Sequence, residues 1–214
     1  MVMQYFYNNA TDSQATLFKD DRAKELIIAF RGTSTPKDLD TDFRFTLVPL
    51  TVSGTKCPTC QVHQGFQDAY MSLGDDITSA LKTQLNRQPR YSITVTGHSL
   101  GGAMAAIASA SLAALGYEVT TYTFGEPRNG DAAFARYLSG LMSDHHYYRV
   151  THFNDGVPQI PPAILGYQHH GPEYWETSGN QNDASTTISC GIGSTSCNSA
   201  QKFGQNPINR AHLT

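Results

Sequence analysis

Tyr91-Ser92-Ile93-Thr94-Val95-Thr96-Gly97-His98-Ser99-Leu100-Gly101-Gly102 decides how the chain is read. Its first six residues alternate in polarity and are rich in β-branched side chains, which predicts a strand. Its last six lead into an alanine-rich stretch, Ala103 to Leu115, with the composition of a helix and Gly116 as its stop. The chemical signal is a G-x-S-x-G pentad at that junction. A serine hydroxyl is a weak nucleophile, useful only where a tight turn holds it clear of the sheet, within reach of a base and near the positive end of a helix. Gly97 and Gly101 leave room for such a turn. An ordinary Gly-Ser-Gly turn would carry the same pentad, but the strand before it and the small-residue helix after it favour the nucleophile.

Outward from this junction the same alternation continues. Glu25-Leu26-Ile27-Ile28-Ala29-Phe30 is an apolar run ended by Arg31-Gly32 and reads as a buried strand. Thr33 to His63 reads as long and irregular, broken by Pro36, Pro49, Gly54 and Pro58. Phe66, Tyr70, Leu73, Ile77, Leu81 and Leu85 recur at helical spacing up to Pro89. Val119 to Phe124 predicts a strand, Asp131 to Met142 a helix and Tyr147 to His152 a strand. Strands alternating with helices predict an α/β fold with a central, mostly parallel sheet flanked by helices. No linker or repeat divides the 214 residues, so one domain over 1–214 is expected.

Charge excludes several partners. With 15 Lys plus Arg against 18 Asp plus Glu and no basic or acidic block, nothing calls for nucleic acid or a polybasic membrane anchor. The longest apolar stretch, Ala103 to Leu115, is too short to span a bilayer and is interrupted by Ser109 and Ser111. The four cysteines fall as two close pairs, Cys57 with Cys60 and Cys190 with Cys197, each able to close a local disulfide. A zinc site or a redox Cys-x-x-Cys is the rival reading, but Cys57 to Cys60 lies in a Thr- and Pro-rich loop without a second ligand pair. Asn9-Ala10-Thr11 is a glycosylation sequon. Met1 to Tyr5 lacks the basic and apolar regions of a secretory signal, so the expectation is a mature or truncated extracellular chain.

A nucleophilic serine needs a histidine base and a carboxylate that fixes its tautomer, in the chain order Ser, acid, His. Asp155 stands just past the predicted strand Tyr147 to His152, although Asn154-Asp155-Gly156 also suits a plain turn. Asp131 and Asp144 are weaker, at a helix start and in a loop. Three histidines follow Asp155, namely His169, His170 and His212, and spacing does not choose among them. His98, in the turn itself, suits packing better than base chemistry. An oxyanion hole needs converging donors, and the Leu100 amide is one by position.

Phe30-Arg31-Gly32-Thr33, Thr96 to Gly102, Phe124-Gly125-Glu126-Pro127-Arg128, Val150-Thr151-His152-Phe153-Asn154-Asp155 with Val157 to Pro162, Gly166-Tyr167, Glu173-Tyr174-Trp175 and Ala211-His212-Leu213-Thr214 together resemble the fungal class 3 lipase family, which includes type A feruloyl esterases. The resemblance runs in order from about residue 15 to 214. It implies an α/β-hydrolase fold with a triad of Ser99, Asp155 and His212 that works without metal or cofactor. It also implies Thr33 as a second oxyanion donor and a lid from Ser34 to Asp42, polar around the single Leu39. Ser34, Leu39, Asp42, Phe45, His63 and His98 become candidate substrate or lid residues, and His169 and His170 structural or pocket residues. Phe45 stands where the feruloyl esterases carry a pocket tyrosine, which tips the implied function to a secreted, monomeric ester hydrolase of lipase type with transient contact to a lipid interface. A feruloyl esterase is second and a silent ester- or glycan-binding fragment third. Relative to the family the chain is expected to lack an N-terminal helix and its disulfide to the tail, leaving the tail of His212 held by packing alone.

Overall fold

The computed structural model describes residues 1–32, 45–143 and 146–214. Among these, eight strands form one sheet in the order β1 (Val2–Asn8), β2 (Ser13–Asp20), β3 (Glu25–Phe30), β6 (Ser92–His98), β7 (Val119–Phe124), β9 (Tyr147–His152), β11 (Pro172–Glu176) and β12 (Thr187–Ile192). From β3 to β11 the neighbours are parallel, and antiparallel hairpins close both flanks. Registers match the carboxyl ends closely: Phe30 pairs with Gly97, His98 with Phe124, and Phe124 with Val150. The turns leaving β6, β7 and β9 therefore open at one edge of the sheet, where sites of parallel sheets form.

The flanking helices follow from the sequence. In α1 (Gln64–Arg87), Phe66, Tyr70, Leu73, Ile77 and Leu81 are buried, and the helix stops before Pro89. In α2 (Leu100–Ala114), every residue from Gly101 to Leu112 is buried, as expected of a helix that is apolar all round. Its hydroxyls are satisfied: Ser109 donates to the Ala105 carbonyl and contacts Thr121 Oγ1, and Ser111 donates to the Ser53 carbonyl. Asp131, weighed above as an acid, caps α3 (Ala132–Leu141) by accepting from the Phe134 amide at 2.8 Å. None of the helices described is long and apolar enough to cross a membrane.

One expectation needs correction and another is met. The segment before His63 is not wholly irregular, because β4 (Leu47–Pro49) and β5 (Gln61–His63) join β8 (Gly130–Asp131) and β10 (Tyr167–Gln168) in a second sheet. Strands of two or three residues are too short to leave a periodic signal. The cysteines form the disulfides Cys57–Cys60 and Cys190–Cys197, with no free cysteine left for zinc or dithiol chemistry.

Candidate active site

Ser99 sits between β6 and α2 with φ 57° and ψ −126°, the left-handed side of conformational space that a non-glycine residue rarely adopts. The turn is clamped by glycines. A β-carbon on Gly97 would fall 2.2 Å from the Gly101 carbonyl oxygen, and one on Gly101 would fall 2.4 Å from that of Phe30. The Ser99 amide donates to the Phe124 carbonyl at 2.9 Å, fixing the turn against β7. Leu100 is the first residue of α2, so its N–H belongs to the amides that have no acceptor within the helix. Gly32 packs against the His98 carbonyl, where a β-carbon would fall at 2.8 Å. Thr33, Ser34, Leu39 and Asp42 lie outside the described residues, as does Asp144.

His212 bridges Ser99 and Asp155. Its Nε2 lies 2.9 Å from Ser99 Oγ and its Nδ1 lies 3.0 Å from Asp155 Oδ2, with all three residues buried. A carboxylate can only accept here, so the Nδ1 proton faces Asp155 and Nε2 is left to accept from the serine hydroxyl. Asp155 is held in turn: its Oδ1 accepts from the Val157 amide at 2.9 Å, and its carbonyl accepts from Asn198 Nδ2 at 2.9 Å. Gly125, at φ +55°, leaves β7 directly against this pair. A β-carbon there would meet Asp155 Oδ2 at 2.8 Å and His212 Nδ1 at 3.0 Å. The structure thus brings His212, and neither His169 nor His170, to the serine.

The tail is held by more than packing, which corrects the expectation above. Asn209 accepts from the His212 amide and donates to the Asn154 carbonyl, and the Gly156 amide donates to the Pro207 carbonyl. His98 Nε2 donates to the His212 carbonyl at 2.9 Å, with the two rings 4.5 Å apart. Burial, reinforced by the neighbouring His212, lowers the His98 pKa, although the bond to the His212 carbonyl works in the opposite direction. His152 Nδ1 lies 2.8 Å from the Ala211 carbonyl.

The remaining candidates divide. His63 caps α1, its Nδ1 accepting from the Phe66 amide at 3.3 Å, and burial pushes its pKa down to about 4. That commits its Nδ1 to a helix end. Phe45 is half-buried ahead of β4. His169 donates from Nε2 to the Pro158 carbonyl, and burial, with Arg149 and Arg128 adding, holds its pKa well below the usual value. His170 lies 3.1 Å from Glu126 at the centre of a buried polar set. Glu126 also accepts from Thr123, Tyr147 and Asn129. Burial raises the Glu126 pKa, but His170, Thr123 and Arg149 outweigh it and the net shift is downward. Glu126 and Asn198 were missed as supports because nothing in their local spacing marks them. Among the described residues no group of three His, Cys, Asp or Glu side chains is arranged to hold a metal ion.

Residues 27–165 match the family model for class 3 lipases. The secreted mono- and diacylglycerol lipase 1 of Fusarium solani is 36% identical over 185 residues, an alignment covering 84% of this chain and 53% of the relative. A lipase of Rhizomucor miehei is 37% identical over 172 residues, covering 78% and 46%. The chain spans about half the length of the curated relatives it matches. Among solved structures, a mutant form of MDLA from Penicillium cyclopium superposes with a TM-score of 0.89 at 30% identity, over 99% of this chain and 78% of the other. A lipase from Rhizopus microsporus var. chinensis gives 0.84 at 30%, over 100% and 72%. With a strained strand–turn–helix of this geometry on a parallel sheet, and the family model matched over more than half of the chain, the chain belongs to the class 3 lipase family and has the α/β-hydrolase fold.

Proposed function

We propose that this protein is a secreted carboxylic-ester hydrolase of lipase type, acting on acylglycerols through an acyl-enzyme in one domain spanning residues 1–214. The observation that carries the reading is the buried line from Ser99 through His212 to Asp155, with contacts of 2.9 and 3.0 Å. His212 takes the Ser99 proton as Oγ attacks the ester carbonyl, and Asp155 holds the ring orientation and stabilises the imidazolium that forms. Negative charge gathering on the carbonyl oxygen is met by the Leu100 amide and by Thr33. The proton passes from His212 to the departing alcohol, and a water deprotonated by His212 then releases the acid from Ser99. No step calls for a metal or cofactor.

Acylglycerol as substrate is supported by the names of the relatives and by exposed apolar side chains beside the triad. Phe153 stands two residues before Asp155 and is 39% exposed, and Leu213 follows His212 at 66%. These fit brief contact with a lipid interface by a monomer. An extracellular setting is supported by the two disulfides and by secreted relatives. The test is Ser99→Ala: hydrolysis of p-nitrophenyl butyrate is expected to fall about 10⁴-fold or more, with loss of fluorophosphonate labelling. A variant with the parent's rate overturns the triad. Emulsified mono-, di- and triacylglycerol compared with methyl ferulate then tests the substrate class, and preference for the ferulate overturns the lipase assignment.

A further inference from the structure

His152 ends β9 with both ring nitrogens against backbone carbonyls. Nδ1 lies 2.8 Å from the oxygen of Ala211 and Nε2 lies 2.9 Å from that of Ser178. Carbonyl oxygens only accept, so both bonds exist together only when both nitrogens carry hydrogen, and imidazole carries two N–H groups only as the cation. Either neutral tautomer turns a lone pair on one of the two oxygens. Thr214 Oγ1, at 3.5 Å from Nδ1, is too distant to compete with the 2.8 Å contact.

The two carbonyls matter for different reasons. Ala211 immediately precedes His212. Ser178 is a fixed point: its amide donates to Asn182 Oδ1 and its carbonyl also accepts from Asn182 Nδ2, both at 3.0 Å. The ionisable residues on the elements around His152 are Tyr147, Tyr148 and Arg149 on β9, Glu173, Tyr174 and Glu176 on β11, Tyr122 on β7, and Arg210 and His212 on the tail. Glu176 is the register partner of His152. Strand alternation puts it on the face of Tyr174, whose ring meets that of Tyr148 on the His152 face of β9.

We propose that His152 is a positioning residue for His212, an imidazolium that ties the tail one residue ahead of the base to the loop after β11. The proposal rests on His212 being the base. His212 must be neutral to accept a proton and His152 must be charged to hold both carbonyls, so turnover is greatest where both conditions hold. Only the cation makes both bonds, so loss of the His152 proton breaks one arm of the tether.

The test uses the full chain, with kcat and KM for p-nitrophenyl butyrate followed from about pH 5 to 10. His152→Ala is expected to lower kcat about 10-fold with KM within about twofold, the mark of a displaced catalytic group rather than a lost substrate contact. The parent's rate falls on the alkaline side, and that fall is absent from His152→Gln, whose amide donates but does not titrate. The Gln variant retains more activity than the Ala variant. Stoichiometric fluorophosphonate labelling verifies folding, and if the Ala variant does not fold the Gln variant decides. An unchanged kcat in His152→Ala, or an alkaline fall that persists in His152→Gln, overturns the proposal. Ser99→Ala run alongside separates the two failures: full activity there overturns the triad, whereas an inactive Ser99→Ala beside unaltered His152 variants overturns only the tether.

Discussion

Gly97 and Gly101 are in such close contact that a β-carbon on the first would lie 2.2 Å from the carbonyl oxygen of the second. The atom it would strike is backbone in the first turn of α2, which cannot swing aside as a side chain would. Gly97→Ala is therefore expected to destabilise the fold by about 3 kcal/mol, at the upper end of overpacking costs. Urea unfolding measures it. A loss below about 1 kcal/mol would show that the turn can open.

Gly125 presents the same constraint with a different readout. An added β-carbon would press on Asp155 Oδ2 and His212 Nδ1 in a backbone already at φ +55°. Gly125→Ala is expected to lower kcat about 100-fold by disturbing the acid–base pair, with KM for a short ester little changed. Steady-state kinetics alongside a melting curve distinguishes this from simple unfolding.

Glu126→Gln removes a buried carboxylate that faces His170 and accepts from Thr123, Asn129 and Tyr147. The expected cost at pH 7 is about 3 kcal/mol, the upper range for depriving buried donors of a charged acceptor. The folded carboxyl is held below its ordinary pKa, so its contribution is present above the ordinary carboxylate range and is lost as pH falls through the lowered value. The deficit of the variant should narrow between pH 7 and about 3. Denaturant midpoints across that interval test it, and a constant deficit would be inconsistent with the shift.

His63 acts in the same direction at a higher pH. Its folded pKa of about 4, against 6.5 for the free side chain, means that the unfolded chain binds more protons between those values. Stability then declines as pH falls from about 6.5 to 4, by about 3 kcal/mol from this group. His63→Asn retains a good capping side chain at the start of α1 and should remove that part of the acid sensitivity. Melting temperatures of the two proteins from pH 7 to 4 should converge or cross toward the acid end.

The centre of the fold was legible because its signals are local. β6, its turn and α2 are written in β-branched alternation, in glycines and in an alanine-rich run, and the strands Val119–Phe124 and Tyr147–His152 were read at their observed bounds. The flanks were not. β1 and β2, and β11 and β12, are antiparallel edge hairpins whose exposed faces mix polar and apolar residues, so no clean period survives. In the site, Ser99 and Asp155 stood at predicted strand ends, but three histidines competed for the base. His212 lies 113 residues beyond Ser99, and only resemblance selected it in the sequence. The buried set around Glu126 draws Thr123, Asn129, Tyr147 and His170 from separate turns and strands, and no local pattern predicts that a charge in Phe124-Gly125-Glu126-Pro127-Arg128 is buried.

The parallel strands that carry Ser99, Gly125 and Asp155 deliver them to one rim of the sheet, a full strand length from the turns at the opposite rim. The turns entering β3, β6 and β7, which include the exposed Lys24, Arg90 and Glu118, belong to that second rim. Coupling the protein to a resin through the Lys24 amine would anchor it by its back and leave the reactive edge facing the liquid, whereas attachment through Arg210 or Thr214 would tether it by the segment that must stay still.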